Sequence, residues 1–371
     1  MNSKLYKLYK LGQSIWLDNI NRSLIKNGEL QRLIDVGIRG VTSNPSIFEK
    51  AILGSNDYNE SIQKYASEGF TPKMIVEKLM IDDITQACDI FMEIYNSSNG
   101  NDGFVSIEVN PLLAYNTDAT INAVQEIWQS INRPNLMVKI PATQEGLKAI
   151  EESIYNGINV NVTLIFSITR YIEVTNAYIH GLKRRLEDEK DVSQINSVAS
   201  VFVSRIDTMV DKEIVELINQ GNPELTKYLG KTAVANTRLL YQEFKRIFSG
   251  ETFIKLKERG AKIQRPLWAS TSTKNPIYSP LLYVDELFAP YTVNTLPIQT
   301  LEIMLEQSSI ENRIENELDD MKKTIEDLRN YDINFDLIFE KLEQEGVKAF
   351  ESSYLNLISS IEQKIKELQI I

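Results

Sequence analysis

The sequence predicts an α/β fold in which eight parallel strands, each followed by helix, close into a barrel carrying additional C-terminal helices. Three observations carry this expectation. Eight short runs rich in apolar residues alternate with segments of helical period. Polar residues interrupt several of those runs at every second position, which makes one strand face aliphatic and the other polar. Beyond Pro297 the strand signals stop and only helical spacing remains. Alternating strand and helix signals imply right-handed parallel units, and eight of them suggest the closed (β/α)8, or TIM, barrel.

Taken in order, the strand candidates are Ser14–Ile20, Gly40–Pro45, Phe104–Asn110, Leu136–Pro141, Asn159–Phe166, Val198–Val203, Pro266–Thr271 and Tyr291–Leu296. Amphipathic stretches such as Gln144–Tyr155 and Thr208–Gln220 lie between them. The segment from Phe48 to Gly100 is too long for one crossover helix and is expected to hold two or three. Leu225–Arg265 reads as a helical insertion or a pair of helices. Near the C-terminal end, Ile310, Ile314, Leu318, Met321, Ile325 and Leu328 fall at helical spacing. So do Phe350, Tyr354, Leu357, Ile361, Ile365 and Leu368. Helices packed against the barrel are expected here, with a coiled-coil partner helix as the alternative. The chain, 1–371, reads as one barrel domain, with 298–371 its helical extension.

Composition narrows the function. With 43% hydrophobic and 25% charged content, 371 residues make a soluble globular chain with a large core. The net charge of −11 argues against a nucleic-acid or membrane-surface binder, and an anionic substrate would need a local basic pocket. Cys88 stands alone, so no intramolecular disulfide forms and a cytoplasmic, reducing setting fits. His180 is the single histidine, which excludes sites needing two; its helical setting suggests a surface or packing role. The basic N-terminal segment has no sustained apolar core, and no span approaches membrane length.

Chemistry is concentrated in Leu136-Met137-Val138-Lys139-Ile140-Pro141. This run is nearly all apolar and is stopped by proline, as a strand buried on both faces would be. A charged ammonium there is costly unless the site lowers its pKa or supplies a partner. A desolvated lysine brought from about 10.4 towards about 7–8 is a nucleophile for carbonyl substrates. The alternative is a strand-end lysine that snorkels to solvent. The other strands bear on that choice. Val105, Ile107 and Val109 alternate with Phe104, Ser106, Glu108 and Asn110, and Val160, Val162 and Leu164 alternate with Asn159, Asn161 and Thr163. Asp18 shares a face with Ser14 and Trp16.

With the aliphatic faces against the outer helices, Asp18, Asn44, Glu108, Lys139, Thr163, Ser200 and Ser270 converge near the carboxyl ends of seven strands. Barrel interiors are filled mostly by Val, Ile and Leu, so seven polar groups there need a use. A lysine beside carboxylates suits Schiff-base chemistry, in which the amine attacks a carbonyl and carboxylates shuttle protons. Paired carboxylates also serve metal sites and glycosidases. The lysine among them and the lack of an acidic ligand cluster argue against both.

Two stretches carry a resemblance. Val41-Thr42-Ser43-Asn44-Pro45-Ser46-Ile47-Phe48 resembles the first signature of the transaldolase family. Val138-Lys139-Ile140-Pro141-Ala142-Thr143, continuing through Glu145-Gly146-Leu147, resembles its second, which carries the Schiff-base lysine. Ile107-Glu108-Val109, Thr163-Leu164-Ile165-Phe166-Ser167, Phe202-Val203-Ser204-Arg205-Ile206 and Trp268-Ala269-Ser270-Thr271 match in order. The likeness runs from about Ser14 to the C-terminus, and Gly346-Val347-Lys348-Ala349-Phe350 suggests the longer bacterial type.

The resemblance implies ping-pong transfer of a dihydroxyacetone unit in the pentose phosphate pathway. Sedoheptulose 7-phosphate and glyceraldehyde 3-phosphate would give erythrose 4-phosphate and fructose 6-phosphate. By motif, Lys139 forms the imine and Asp18 takes the C4 hydroxyl proton. Glu108, with Thr163 holding a water, serves dehydration of the carbinolamine. Asn44 and Ser200 bind the retained three-carbon unit, and Arg205 and Ser270 meet the phosphate. Shorter members carry an arginine closely after that serine, whereas Lys274 is offered here. The imine is itself the electron sink, so no metal or organic cofactor is expected. A fructose 6-phosphate aldolase-like lyase is the nearest alternative; it is expected to carry tyrosine in the proton-relay position, and Glu108 favours transfer. A catalytically silent barrel acting as an interaction module is another, and the presence of Lys139 and Glu108 speaks against it.

Overall fold

The computed structural model describes residues 4–368, so the outer limits 1 and 371 of the expected domain lie outside the described residues. Eight strands form one closed parallel barrel in sequence order. They are β1 (Gln13–Leu17), β2 (Gly40–Val41), β3 (Phe104–Glu108), β4 (Leu136–Pro141), β5 (Val160–Ile165), β6 (Ser197–Phe202), β7 (Arg265–Ala269) and β8 (Thr292–Leu296). Closure comes from β1 pairing with β8 along its whole length, Gln13 opposite Thr292 through Leu17 opposite Leu296. Every residue of β1, β4, β5 and β6 is buried, as continuous apolar strands between a filled interior and an outer helical layer must be.

The strands end sooner than their apolar runs, and helix capping is the reason. Asn44, expected inside the second strand, has extended backbone and accepts from the Ile47 amide, capping the helix Pro45–Leu53. Pro45 then occupies the first helical turn, where its missing amide hydrogen costs nothing. Thr143 caps Gln144–Tyr155 and Ser167 caps Ile168–Glu187 in the same way. Asp18 and Ser270 likewise fall just past β1 and β7 instead of within them. Polar residues after a strand therefore orient the next helix.

Three helices, Pro45–Leu53, Asn59–Ser67 and Pro72–Ser97, occupy the long connection after β2. The segment before β7 holds Thr232–Phe248 and Glu251–Glu258. The C-terminal pattern is helical later than expected: Ile310 and Ile314 precede the helix Leu318–Asn330. Side chains hold that stretch in place of a helical ladder. Arg238 donates to the Asn316 carbonyl at 3.0 Å and pairs with Glu286, which also takes Arg313 at 2.9 Å. Among the described residues no helix is long and apolar enough to cross a membrane. His180 is exposed on the helix Ile168–Glu187, and Cys88 is a buried free thiol.

The final helix, Phe335–Glu367, crosses the carboxyl end of the barrel. Ile338, Leu342, Val347, Phe350, Tyr354, Leu357 and Ile361 form its buried stripe, at the spacing of one helical face. The Ser353 and Ser46 hydroxyls meet at 2.7 Å, and Tyr354 donates to Glu77 at 3.0 Å. Over β5, Gly346 comes so close that a Cβ there would stand 2.7 Å from Leu164 Cδ2. Leu164 has φ +61°, in a register shift between Val162 and Ile165. The strict alternation expected for this strand therefore breaks after Thr163.

Gly146 fixes the helix after β4 against the strand. A Cβ there would lie 2.1 Å from the Pro141 carbonyl oxygen, a backbone atom with no freedom to move aside. Gly146→Ala should destabilise the protein by about 1–3 kcal/mol, the usual cost of overpacking, despite alanine's better helix propensity. Chemical denaturation checks this; an unchanged or raised midpoint would contradict it.

Candidate active site

The strand register brings the site together. In the β3–β4 ladder Glu108 lies opposite Lys139, and in the β4–β5 ladder Lys139 lies opposite Asn161 and Pro141 opposite Thr163. Lys139 Nζ stands 3.4 Å from Glu108 Oε2 and donates to the Ser43 carbonyl at 3.0 Å. Both side chains are almost completely buried, so the buried ammonium is answered by a carboxylate and not by snorkelling to water.

Around this pair neutral polar groups fill the barrel. Asn161 donates to Ser106 Oγ at 3.0 Å and accepts from Ser200 Oγ at 2.6 Å. Thr271 donates to Asn294 at 2.9 Å. At the amino end a further cluster, unforeseen from sequence, closes the floor. Asp102 accepts from Ser14 and Trp16 and sits 3.7 Å from both Arg39 and Arg265. Its signal was the polar Ser14 on the inward face of β1.

Above the pair lies a pocket of about 140 Å³. Asp18, Asn44, Lys139, Thr163, Ser200, Arg205, Ser270 and Lys274 all line it. Glu108 reaches it through Lys139. Every candidate site residue is thus brought to one place. Thr42, Phe202, Thr295 and Phe350 also line the pocket and were missed. Thr42 lies within the first signature, where its hydroxyl was a readable signal; Phe350 comes from the final helix, whose path no local pattern encodes.

Electrostatics follow from burial. Desolvation pushes the Glu108 carboxyl above its ordinary 4.5, with Lys139 opposing. Desolvation also raises Asp18 above 3.8, against Lys139 and the hydrogen bond from Thr42 Oγ1 at 2.7 Å. Among the described residues Thr163 Oγ1 is buried without a hydrogen-bond partner, a hydroxyl free to engage something in the pocket. At the rim, Ser204 and Ser270 hydroxyls meet at 2.9 Å, and Ser270 takes φ +54° where β7 ends. Arg205, in the first turn of Ser204–Asn219, lies 5.4 Å from the Phe202 ring centre. Lys274 is exposed, and its pKa is lowered by partial burial and then by Arg205. An amine flanked by carboxylates at the base, with two cations at the rim, can attack a carbonyl and receive an anion.

The sequence matches the transaldolase/fructose-6-phosphate aldolase family over residues 15–361. The chain belongs to this family. The protein named Transaldolase from Trichodesmium erythraeum is 44% identical over 99% of both chains. Transaldolase 2 of a Nostoc species is 45% identical over 98% of both, and Transaldolase of Saccharopolyspora erythraea 42% over 99% of both. These likenesses span the helix across the mouth as well as the barrel, so the family match reaches every element that lines the pocket.

Thr42 and Lys139 both hold the Asp18 carboxyl down against burial. Thr42→Val and Lys139→Met should each raise the Asp18 pKa above its wild-type value, measured by carbon-13 NMR titration of labelled aspartate. An unchanged or lower value in both variants would overturn this account of the site's electrostatics.

Proposed function

We propose that this protein is a transaldolase that moves a dihydroxyacetone unit from sedoheptulose 7-phosphate to glyceraldehyde 3-phosphate, giving erythrose 4-phosphate and fructose 6-phosphate. The observation that carries the reading is Lys139, buried and 3.4 Å from Glu108, at the base of a pocket that Asp18 also lines. Lys139 passes a proton to the Glu108 carboxylate 3.4 Å away, and the neutral Nζ attacks the ketose C2 carbonyl to give a carbinolamine. Glu108, through a water held by Thr163, protonates the departing hydroxyl, and the iminium forms. The Asp18 carboxylate takes the C4 hydroxyl proton as the C3–C4 bond breaks. The electron pair passes into the iminium, which becomes a neutral enamine, and the aldose leaves.

The retained enamine is held by hydrogen bonds with Asn44 and Ser200, the Ser200 oxygen accepting because its hydrogen goes to Asn161, until its C3 attacks the acceptor aldehyde. Asp18 then returns its proton to the new hydroxyl, and water hydrolyses the imine to free Lys139. Arg205, Ser270 and Lys274 hold the substrate phosphate at the rim, arginine offering two donors and lysine a compact charge. The helix across the mouth supports transfer over release to water, because Phe350 occupies the wall of the pocket.

Borohydride with fructose 6-phosphate should add a three-carbon unit to the peptide containing Lys139, seen by mass spectrometry; label on another lysine would sink the assignment. Glu108→Gln and Asp18→Asn should each lower turnover about 10²–10⁴-fold with circular dichroism unchanged. Near wild-type turnover in either would remove that residue from the proton pathway. A coupled assay with fructose 6-phosphate and erythrose 4-phosphate tests the whole reaction, and dihydroxyacetone accumulating instead would make the protein a lyase.

A further inference from the structure

The rim of the pocket poses a mechanical problem. Lys274 sits on the loop 270–281 after β7, where Pro276, Ile277, Ser279 and Pro280 are all exposed. Ile277 is 86% exposed, so apolar burial does little to hold this tip. Ordering such a loop costs about 1–2 kcal/mol per residue in backbone entropy. Lys274 also lines the same pocket as Arg205, and burial first and then that like charge lower its pKa, with Asp18 opposing. Left alone, the loop would gain entropy and relieve repulsion by swinging Lys274 away.

Two tyrosines oppose this. Tyr278 Oη donates to Asp211 Oδ2 at 2.7 Å, and Tyr283 Oη donates to Asp207 Oδ2 at 2.8 Å. Asp207 and Asp211 lie four residues apart on one face of Ser204–Asn219, the helix whose first turn carries Arg205. Each carboxylate is fixed from its other oxygen, Asp207 by the Ala233 amide at 2.7 Å and Asp211 by the Gly230 amide at 3.0 Å. Gly230 has φ +70° and lies directly under the Tyr278 ring; a Cβ there would stand 2.8 Å from Cζ.

Both acids are expensive. Among the described residues neither forms an ion pair, and burial lifts Asp207 to about 7, with Asp211 adding to it. A buried Asp207 and a half-buried Asp211, answered only by neutral donors, need a use, and here they tie two separately positioned cations to one frame.

We propose that Asp207 and Asp211, through Tyr283 and Tyr278, are positioning residues that latch the loop after β7 onto the helix bearing Arg205, holding Lys274 where the substrate phosphate binds. The inference rests on the reading of Arg205 and Lys274 as the phosphate cations. Neither acid touches substrate; the latch acts through Lys274 alone.

The test uses the full-length enzyme and compares fructose 6-phosphate with unphosphorylated fructose as donors. Tyr278→Phe removes one hydroxyl from a half-buried ring and should raise KM for fructose 6-phosphate about tenfold, the value of one hydrogen bond to a charged group. KM for fructose and kcat for both donors should hold. Asp211→Ala should match it, and the double variant should be no worse than either single one. In a Lys274→Ala background, Tyr278→Phe should have no further effect. Gly230→Ala, which pushes the ring away without touching the hydroxyl, should reproduce the same selective loss. Arg205→Ala separates the two claims: equal losses on both donors would overturn the phosphate reading itself. A selective loss in Arg205→Ala with no selective loss in Tyr278→Phe and Gly230→Ala would overturn the latch. So would additivity of Tyr278→Phe with Lys274→Ala.

Discussion

An ammonium and a carboxylate facing each other inside a closed barrel set the terms for everything around them. Removing either partner of such a pair leaves an uncompensated buried charge, which is far costlier than the pair itself. The surroundings are built accordingly. Adjacent parallel strands put Glu108 opposite Lys139, the Ser43 carbonyl accepts a Lys139 hydrogen, and neutral groups around Asn161 surround the pair, with the charged Asp102 cluster at the amino end of the barrel. Barrel closure through β1 and β8 makes that geometry stiff, because no strand edge is left to fray.

Division of labour by depth follows. Lys139 and Glu108 stand on strands, where the ladder fixes them, Asp18 follows the end of β1, and the cations stand on a helix turn and a loop at the rim. The gradient suits a chain whose net charge is −11. Since the global field repels a phosphorylated sugar, attraction must be local, and Arg205 and Lys274, both lining the pocket, are the cations the proposed reading assigns to it. Deeper in, buried carboxylates raised above their ordinary values are poised to exchange protons with a bound sugar.

Much of this was legible in the sequence because period-two alternation is a strong signal when one face is aliphatic. It located β3, β4 and β5 and placed Glu108, Lys139 and Thr163 together. Strand ends were legible only as regions, since a residue such as Asn44 can extend a strand or cap a helix, and its Pro45 neighbour fits both. The break at Leu164 was not legible: a leucine with φ +61° is set by the tertiary contact with Gly346 and not by its own preference. Ile310 and Ile314 kept helical spacing without a helix because Arg238 claims the nearby backbone carbonyl. Phe350 was readable as a buried helix position, but which surface buries it depends on how far the chain travels back.

That return journey bears on how the molecule assembles. Ser46 meets Ser353, Glu77 meets Tyr354, and Lys364 reaches the carbonyls of Ile52 and Ser55. These contacts join positions about 300 residues apart, whereas consecutive strands and helices of the barrel join near neighbours in the chain. Loop-closure entropy and the slowness of non-local pairing both place such docking late. The β3–β4 ladder can therefore bring Lys139 and Glu108 together while the mouth of the barrel is still open. The order of assembly is chemistry first and shelter second: an ensemble caught between the two would hold a formed amine–carboxylate pair in an unsealed cup.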